Sequence, residues 1–221
     1  MRYLIVGKNP YKETYFGTPV ESFNYDEPEN TEAVNPALYH FVMPPWYVVF
    51  PFSFYYTVRP VIGFFDGRFA LLFCMAGLLW IIWQWYKPAK IARTAIILTA
   101  FSPAIFDYFL EGRSDIFAFF WLIGALYTLE RGKFILSAAF LALAFLSKQT
   151  VWFALPFYAV YVLSVYGKSQ KILLKLCSIF VLVGAVLCLP FLIWEYKAFL
   201  DSVVFYVSGN AQNSYPVSGY G

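Results

Sequence analysis

From Phe69 to Trp194 the chain is a succession of apolar runs, at 69–86, 94–110, 116–130, 134–147, 150–166 and 172–194, with only short polar connections between them. Hydrocarbon offers a backbone no hydrogen-bond partner, so a segment in lipid must satisfy its own N–H and C=O groups as a helix or join a closed barrel. The runs lack the period-two alternation of barrel strands, so helices are expected. Most are shorter than the ~20 residues that cross ~30 Å of hydrocarbon. Helices around a water-filled cavity tolerate that, and several extend through polar flanks. Composition closes off the alternatives: 61% of the 221 residues are hydrophobic and 13% charged, against roughly 45–50% and ~25% in soluble domains. A soluble core of this length cannot bury so much apolar surface, which excludes a water-soluble globular domain, a disordered tail and a disulfide-framed secreted module. Cys74, Cys177 and Cys188 lie inside apolar runs, lack metal-ligand spacing and read as small buried hydrophobes.

Charge orients the runs. Lys87, Lys90 and Arg93 share one connection, Arg131 and Lys133 a second, and Lys168, Lys171 and Lys175 a third. Placing these on the inner side puts eight bases and one acid (Glu130) there and leaves eight bases and twelve acids on the other, the asymmetry that the positive-inside rule reads. Both termini then lie outside. The expected fold is an all-α integral membrane protein, a polytopic bundle of about six transmembrane helices plus one interfacial outer-face helix. Its parts are an extracytoplasmic loop at 1–45, an interfacial or re-entrant segment at 46–65, the six-helix domain at 66–195 and an extracytoplasmic tail at 196–221. The first part holds six acids, three bases and six prolines and no sustained period, and its start, MRYLIVGK, has too short an apolar run for a signal peptide. The thirteen residues between Pro45 and Arg59, interrupted by Pro51, are too few for a crossing. Trp46, Tyr47, Tyr55 and Tyr56 suit the headgroup layer there.

Three places carry candidate chemistry. In TAFSPAIFDYFLEGRSD, Asp107, Glu111 and Asp115 follow at intervals of four, so a continuing helix would stack three carboxylates on one face, with Arg113 among them. The alternative is a polar helix end with a local arginine–carboxylate pair and a turn at Gly112. An ionised Asp107 about a turn inside an apolar run needs protein or a wet cavity around it. In LSKQT, Lys148 follows a run of fourteen residues, ~21 Å as a helix, so it is expected below the outer surface. There it either binds a phosphate or acidic sugar as a point charge, snorkels to the interface, or pairs with one of the three carboxylates. Gln149 offers a neutral hydrogen bond. His40, the single histidine, lies beside Pro44 and Pro45 without a partner at ligand spacing, and is expected to be structural. Three carboxylates can hold a divalent cation, yet one helix face rarely completes such a site, so no metal or other cofactor is assigned. No P-loop, GxGxxG, HExxH or CxxC occurs, and neither a soluble nucleotide nor a nucleic acid is an expected partner.

GKNPY (Gly7–Tyr11), PPWYVVFPF (Pro44–Phe52), EGRSD (Glu111–Asp115) and ALAFLSKQT (Ala142–Thr150) together resemble the GT-C superfamily of membrane glycosyltransferases, nearest its mannosyltransferase-like and aminoarabinose-transferase-like branches. The resemblance implies transfer of a sugar from a polyprenyl- or dolichyl-phosphate donor to an acceptor hydroxyl on the extracytoplasmic side. A carboxylate would activate the acceptor, and Arg or Lys would hold the leaving phosphate. It implies that Asp115 lines the donor cavity, that Lys148 faces the lipid phosphate or its sugar, and that Arg113 contacts phosphate. Its implied partners are the bilayer and a lipid-phosphate-linked sugar, in a prokaryotic plasma membrane or the ER membrane. Family members carry an acidic catalytic base after a first span, ahead of the point that MRYLIVGKNPY matches, and continue past NSYPVSGYG with further helices. The chain is therefore expected to be an internal piece, and no residue in it is assigned as the catalytic base. A transporter or lipid flippase using Asp107 and Lys148, or a catalytically inactive fragment, stands as the alternative.

Overall fold

A computed structural model describes residues 2–22, 34–167, 169–211 and 213–214. Asp26, Glu27, Glu29, Glu32, Pro28, Lys168 and, in the final tail, residues 212 and 215–221 lie outside the described residues, as does the side chain of Asp107. Every regular element among the described residues is helical: α1 (Arg2–Ile5), α2 (Trp46–Ile62), α3 (Arg68–Trp85), α4 (Ala89–Ala100), α5 (Pro103–Leu110), α6 (Asp115–Glu130), α7 (Phe134–Phe145), α8 (Ala154–Tyr166) and α9 (Gln170–Leu200), with 3-10 turns at Pro19–Ser22, Pro36–Leu38 and Gln149–Phe153. The chain divides into two compact units, Met1–Met43 with Cys188–Gly221, and Pro44–Leu187.

In the first unit the irregular N-terminal segment is organised by aromatic burial. Asn9 accepts the Tyr11 backbone N–H at 3.0 Å, an Asx turn that aims Tyr11 inward. Its ring meets Phe41, Phe191 and Phe199 edge-on with centroids 5.5, 5.2 and 4.9 Å away, and its hydroxyl donates to the Met43 carbonyl at 3.0 Å. Burial pushes the Tyr11 phenol well above its ordinary value. His40 is buried, with Nδ1 3.4 Å from Ser202 Oγ and 3.8 Å from an Asp201 carboxylate oxygen. The first residues of the expected C-terminal tail are instead helical. α9 runs on to Leu200, with extended backbone at Glu195, and a single π-type turn covers Asp201–Phe205.

In the second unit α6 and α7 form the most closely packed pair, an antiparallel hairpin closed at Gly132, whose φ of +67° a side chain would resist. α3 lies along α6 in the same direction. Their C-terminal ends are tied by Trp85 Nε1 donating to Glu130 at 2.7 Å and by Arg131 donating to the Gln84 carbonyl at 3.1 Å. Small residues allow the approach, since a Cβ on Gly77 would stand 2.5 Å from the Phe120 ring and one on Gly124 2.6 Å from Phe140. Lipid supplies no hydrophobic drive between helices, so such close van der Waals contact holds them together.

The apolar runs and the helices differ in instructive places. The run 94–110 is two helices, broken at Phe101–Ser102 because Pro103 has no N–H to continue the ladder and opens α5 as its first residue. Three segments among the described residues are long and apolar enough to cross a membrane: Arg68–Trp85, Gln149–Tyr166 and Gln170–Phe205. α7 is apolar but has only 12 residues. The segment after Pro45 is helical for 17 residues, through Pro51 and Pro60, to a left-handed stop at Gly63. Tyr56 is exposed, but Trp46 and Tyr47 turn inward rather than outward, edge-on to Trp121 and Phe117 with centroids 5.5 Å apart. Cys177 is exposed on α9, not buried as its apolar setting suggested, because it lies on the wall of an open apolar groove between α7, α8 and α9.

Candidate functional site

The single helix that would stack the carboxylates does not continue through 107–115. α5 ends at Leu110, and Gly112 adopts φ +76°, a turn open to glycine and strained for other residues. α6 starts afresh at Asp115. The break turns Glu111 and Asp115 to different partners. Glu111 accepts from the Arg113 guanidinium in a pair half open to solvent. Asp115 stands in the first turn of α6, where the helix dipole favours a negative charge.

Lys148 reaches Asp115 from the other direction. α7 stops after 12 residues, and Lys148 is held in an extended conformation between it and the 3-10 turn that Gln149 opens. Its ammonium donates to Asp115 Oδ1 at 2.7 Å, with side-chain exposures of 22% for Lys148 and 34% for Asp115. Of the fates open to this lysine, the structure shows pairing with a carboxylate. The residues on either side are anchored. Ser114 and Ser147 are buried, and Ser147 donates to the Leu143 carbonyl at 2.6 Å. The Trp46 backbone N–H donates to the Leu146 carbonyl at 3.0 Å, fastening the start of α2 to the end of α7.

Tyr47 belongs to the same cluster and was not among the residues expected there. Its hydroxyl donates to the Gly112 carbonyl at 3.3 Å. Burial first, and the nearby Asp115 charge second, raise its phenol above the ordinary value. The Pro44-Pro45 pair signals a helix start in the sequence, but no local pattern tells which face of that helix turns inward. Beneath the cluster, the indole N–H groups of Trp46 and Trp121 are buried and unpaired among the described residues.

A cavity of about 430 Å³ runs between α3, α4, α5 and α6, lined by Leu78, Ile82, Ile105, Ile116, Phe119 and Ile123 among others, and Asp115 is the charged residue on its wall. Ile116, Phe119 and Ile123 recur at helical spacing, so one face of α6 is apolar while its first residue carries the carboxylate. The arrangement pairs a greasy slot, sized for part of a hydrocarbon chain, with an ammonium–carboxylate pair at one end of α6. Among the described residues no three His, Cys, Asp or Glu side chains come together as a metal site.

The site residues all fall inside a region of recognisable ancestry. The family model for dolichyl-phosphate-mannose-protein mannosyltransferases matches residues 46–194, well over half of the chain. No curated protein and no solved structure matches it.

Proposed function

We propose that this chain, which belongs to the dolichyl-phosphate-mannose-protein mannosyltransferase family, takes part in transferring a sugar from a polyprenyl- or dolichyl-phosphate donor to an acceptor hydroxyl on the extracytoplasmic side of its membrane. Membership makes it a membrane glycosyltransferase of the GT-C kind. The finer reading rests on one observation: Lys148 and Asp115 form an ion pair at the edge of an apolar cavity of about 430 Å³. A lipid-linked sugar phosphate has those two characters, a hydrocarbon tail and an anionic head. The tail lies along Ile116, Phe119 and Ile123. The phosphate draws Lys148 away from Asp115, and Arg113 adds a second cation at the rim. As the glycosyl bond breaks, negative charge grows on the leaving phosphate, and a lysine already oriented there stabilises it without reorganisation. Gln149 hydrogen-bonds the sugar. The freed Asp115 accepts a hydroxyl proton or orients the sugar, and no residue is assigned as the base.

In this reading the shorter helices cross together with the long ones as six spans, α2 lies at the outer interface, and Lys148 and Asp115 face outward. The test is sugar transfer by the full-length protein from a mannosyl phosphoprenyl donor. Lys148→Ala and Asp115→Asn are each expected to lower kcat about a hundredfold, the scale of losing one charge-stabilising donor. Transfer at the wild-type rate by both variants would remove the site from the reaction.

A further inference from the structure

The opposite end of the Pro44–Leu187 unit points to a second binding surface, and we infer that it holds the headgroups of acidic phospholipids. Lys87, Lys90, Arg93, Lys133, Lys171 and Lys175 are all exposed there, and none has a carboxylate partner among the described residues. The fold gathers them from three connections far apart in sequence. Trp85 bound to Glu130 and Arg131 bound to the Gln84 carbonyl set the α3–α4 connection, with Lys87 and Lys90, beside the α6–α7 turn, with Lys133. The Phe134 and Tyr166 rings meet at 5.2 Å, and Leu176 is buried in the same apolar cluster, which brings the first turns of α9, with Lys171 and Lys175, to that end as well.

Two features select a lipid headgroup over a soluble acid. Trp83 and Tyr86 are exposed at this end of α3, the aromatic placement that marks the headgroup level of a bilayer. The one acid of the cluster, Glu130, is occupied by the Trp85 indole, and Arg131 lies over the Tyr127 ring with its centre 5.1 Å from the centroid. The local field is therefore that of uncompensated cations just beyond an aromatic belt, and a layer of lipid phosphates complements it. The side of the membrane that carries acidic phospholipid is then the side this end faces. The inference is independent of the sugar-transfer reading, since none of its cations belongs to that site, although Trp85 and Tyr86 also line the cavity there.

The experiment is native mass spectrometry of the full-length protein released from nanodiscs of equal phosphatidylglycerol and phosphatidylcholine. Wild type is expected to retain phosphatidylglycerol selectively. Each of Lys87→Gln, Lys90→Gln, Lys133→Gln and Lys171→Gln lowers that selectivity about fivefold, and the combined variant shows none. Lys12→Gln with Arg68→Gln, whose cations pair with carboxylates elsewhere, leaves it intact. Equal retention of both lipids by wild type, unchanged selectivity in the combined variant, or an equal loss in the Lys12/Arg68 control overturns the inference. Displacement of the lipid by millimolar inorganic phosphate overturns it too, in favour of a soluble anion.

Discussion

At one end of the Pro44–Leu187 unit Lys148 lies 2.7 Å from Asp115, Arg113 is bound to Glu111, and Arg68 reaches Asp66 at 2.6 Å, while Arg59 lies over the Tyr55 ring. At the other end Lys87, Lys90, Lys133, Lys171 and Lys175 are exposed and have no carboxylate partner among the described residues. Both ends are basic, and the surroundings of their cations differ. A lysine drawn in beside an apolar cavity loses part of its hydration, and an unpaired charge there costs several kcal/mol. Lys148 has that counter-charge in Asp115, which in the proposed reading an anionic ligand replaces. A lysine at the rim of a helix bundle keeps its water and needs no internal partner. In the readings proposed above, the paired lysine exchanges its partner for an anionic ligand, and the unpaired lysines meet lipid phosphate directly.

The sharpest way to break this contrast is to exchange the members of the inner pair. Asp115→Lys combined with Lys148→Asp keeps an ion pair but moves the cation to the start of α6, against the helix dipole. Sugar transfer is expected to fall about a hundredfold, while phosphatidylglycerol selectivity at the far end is untouched. Wild-type kcat in the exchanged variant would mean that the pair is structural only.

Gly124→Val should come next, because it forces side-chain atoms against Phe140, where even a Cβ would sit at 2.6 Å. Overpacking of this kind costs about 1–3 kcal/mol, read as a lower Tm in detergent. Lys148 follows α7 and Asp115 opens α6, so prising these helices apart lowers sugar transfer more than it lowers lipid selectivity. A variant with unchanged Tm and transfer would show that the hairpin does not set the spacing of the pair.

Arg113→Ala is expected to have a smaller effect. Its pair with Glu111 is half exposed, and such pairs contribute about 0–1 kcal/mol to stability. Tm should hardly move, whereas the KM for the donor should rise several-fold if Arg113 meets phosphate. A fall in Tm with no change in KM would reverse that assignment.

The smallest effect concerns Asp66. Its hydrogen bond and charge pairing with Arg68 hold the carboxyl below its ordinary value. A carboxyl whose pKa is depressed in the folded chain contributes stability that is present above its unfolded value of about 3.9. That contribution is lost as pH falls through the lower folded value. Asp66→Asn should therefore lose a slight advantage at neutral pH and converge with wild type once pH falls below the lowered folded value, as followed by thermal unfolding. A gap between the two that widens toward low pH would contradict the pairing.

Much of the architecture is written locally. The apolar runs at 69–86, 150–166 and 172–194 correspond to segments long and apolar enough to cross a membrane. Pro103 and Gly112 mark breaks that local backbone rules explain. The candidate site was legible in its residue types and only partly in its geometry. Asp115 and Lys148 stood out as charges beside apolar runs, and their pairing was one of several arrangements the residues allowed. Trp46 and Tyr47 looked like interfacial aromatics, because aromatic side chains suit both a headgroup layer and a packed core, and local pattern does not separate the two.

Sequence alone determined that the chain is helical in a lipid-like environment, since a backbone in hydrocarbon has few ways to satisfy itself, and that basic residues collect in alternate connections. Tertiary structure decided which charges meet. The ion pair joins residues 33 positions apart, and it forms because α7 stops after 12 residues, α6 restarts beyond the Gly112 turn, and small residues let neighbouring helices approach closely. Each of those is a local feature. Their meeting depends on how the helices pack, and a side-chain contact across that distance has no local signature because its energy is realised only once both backbones are in place.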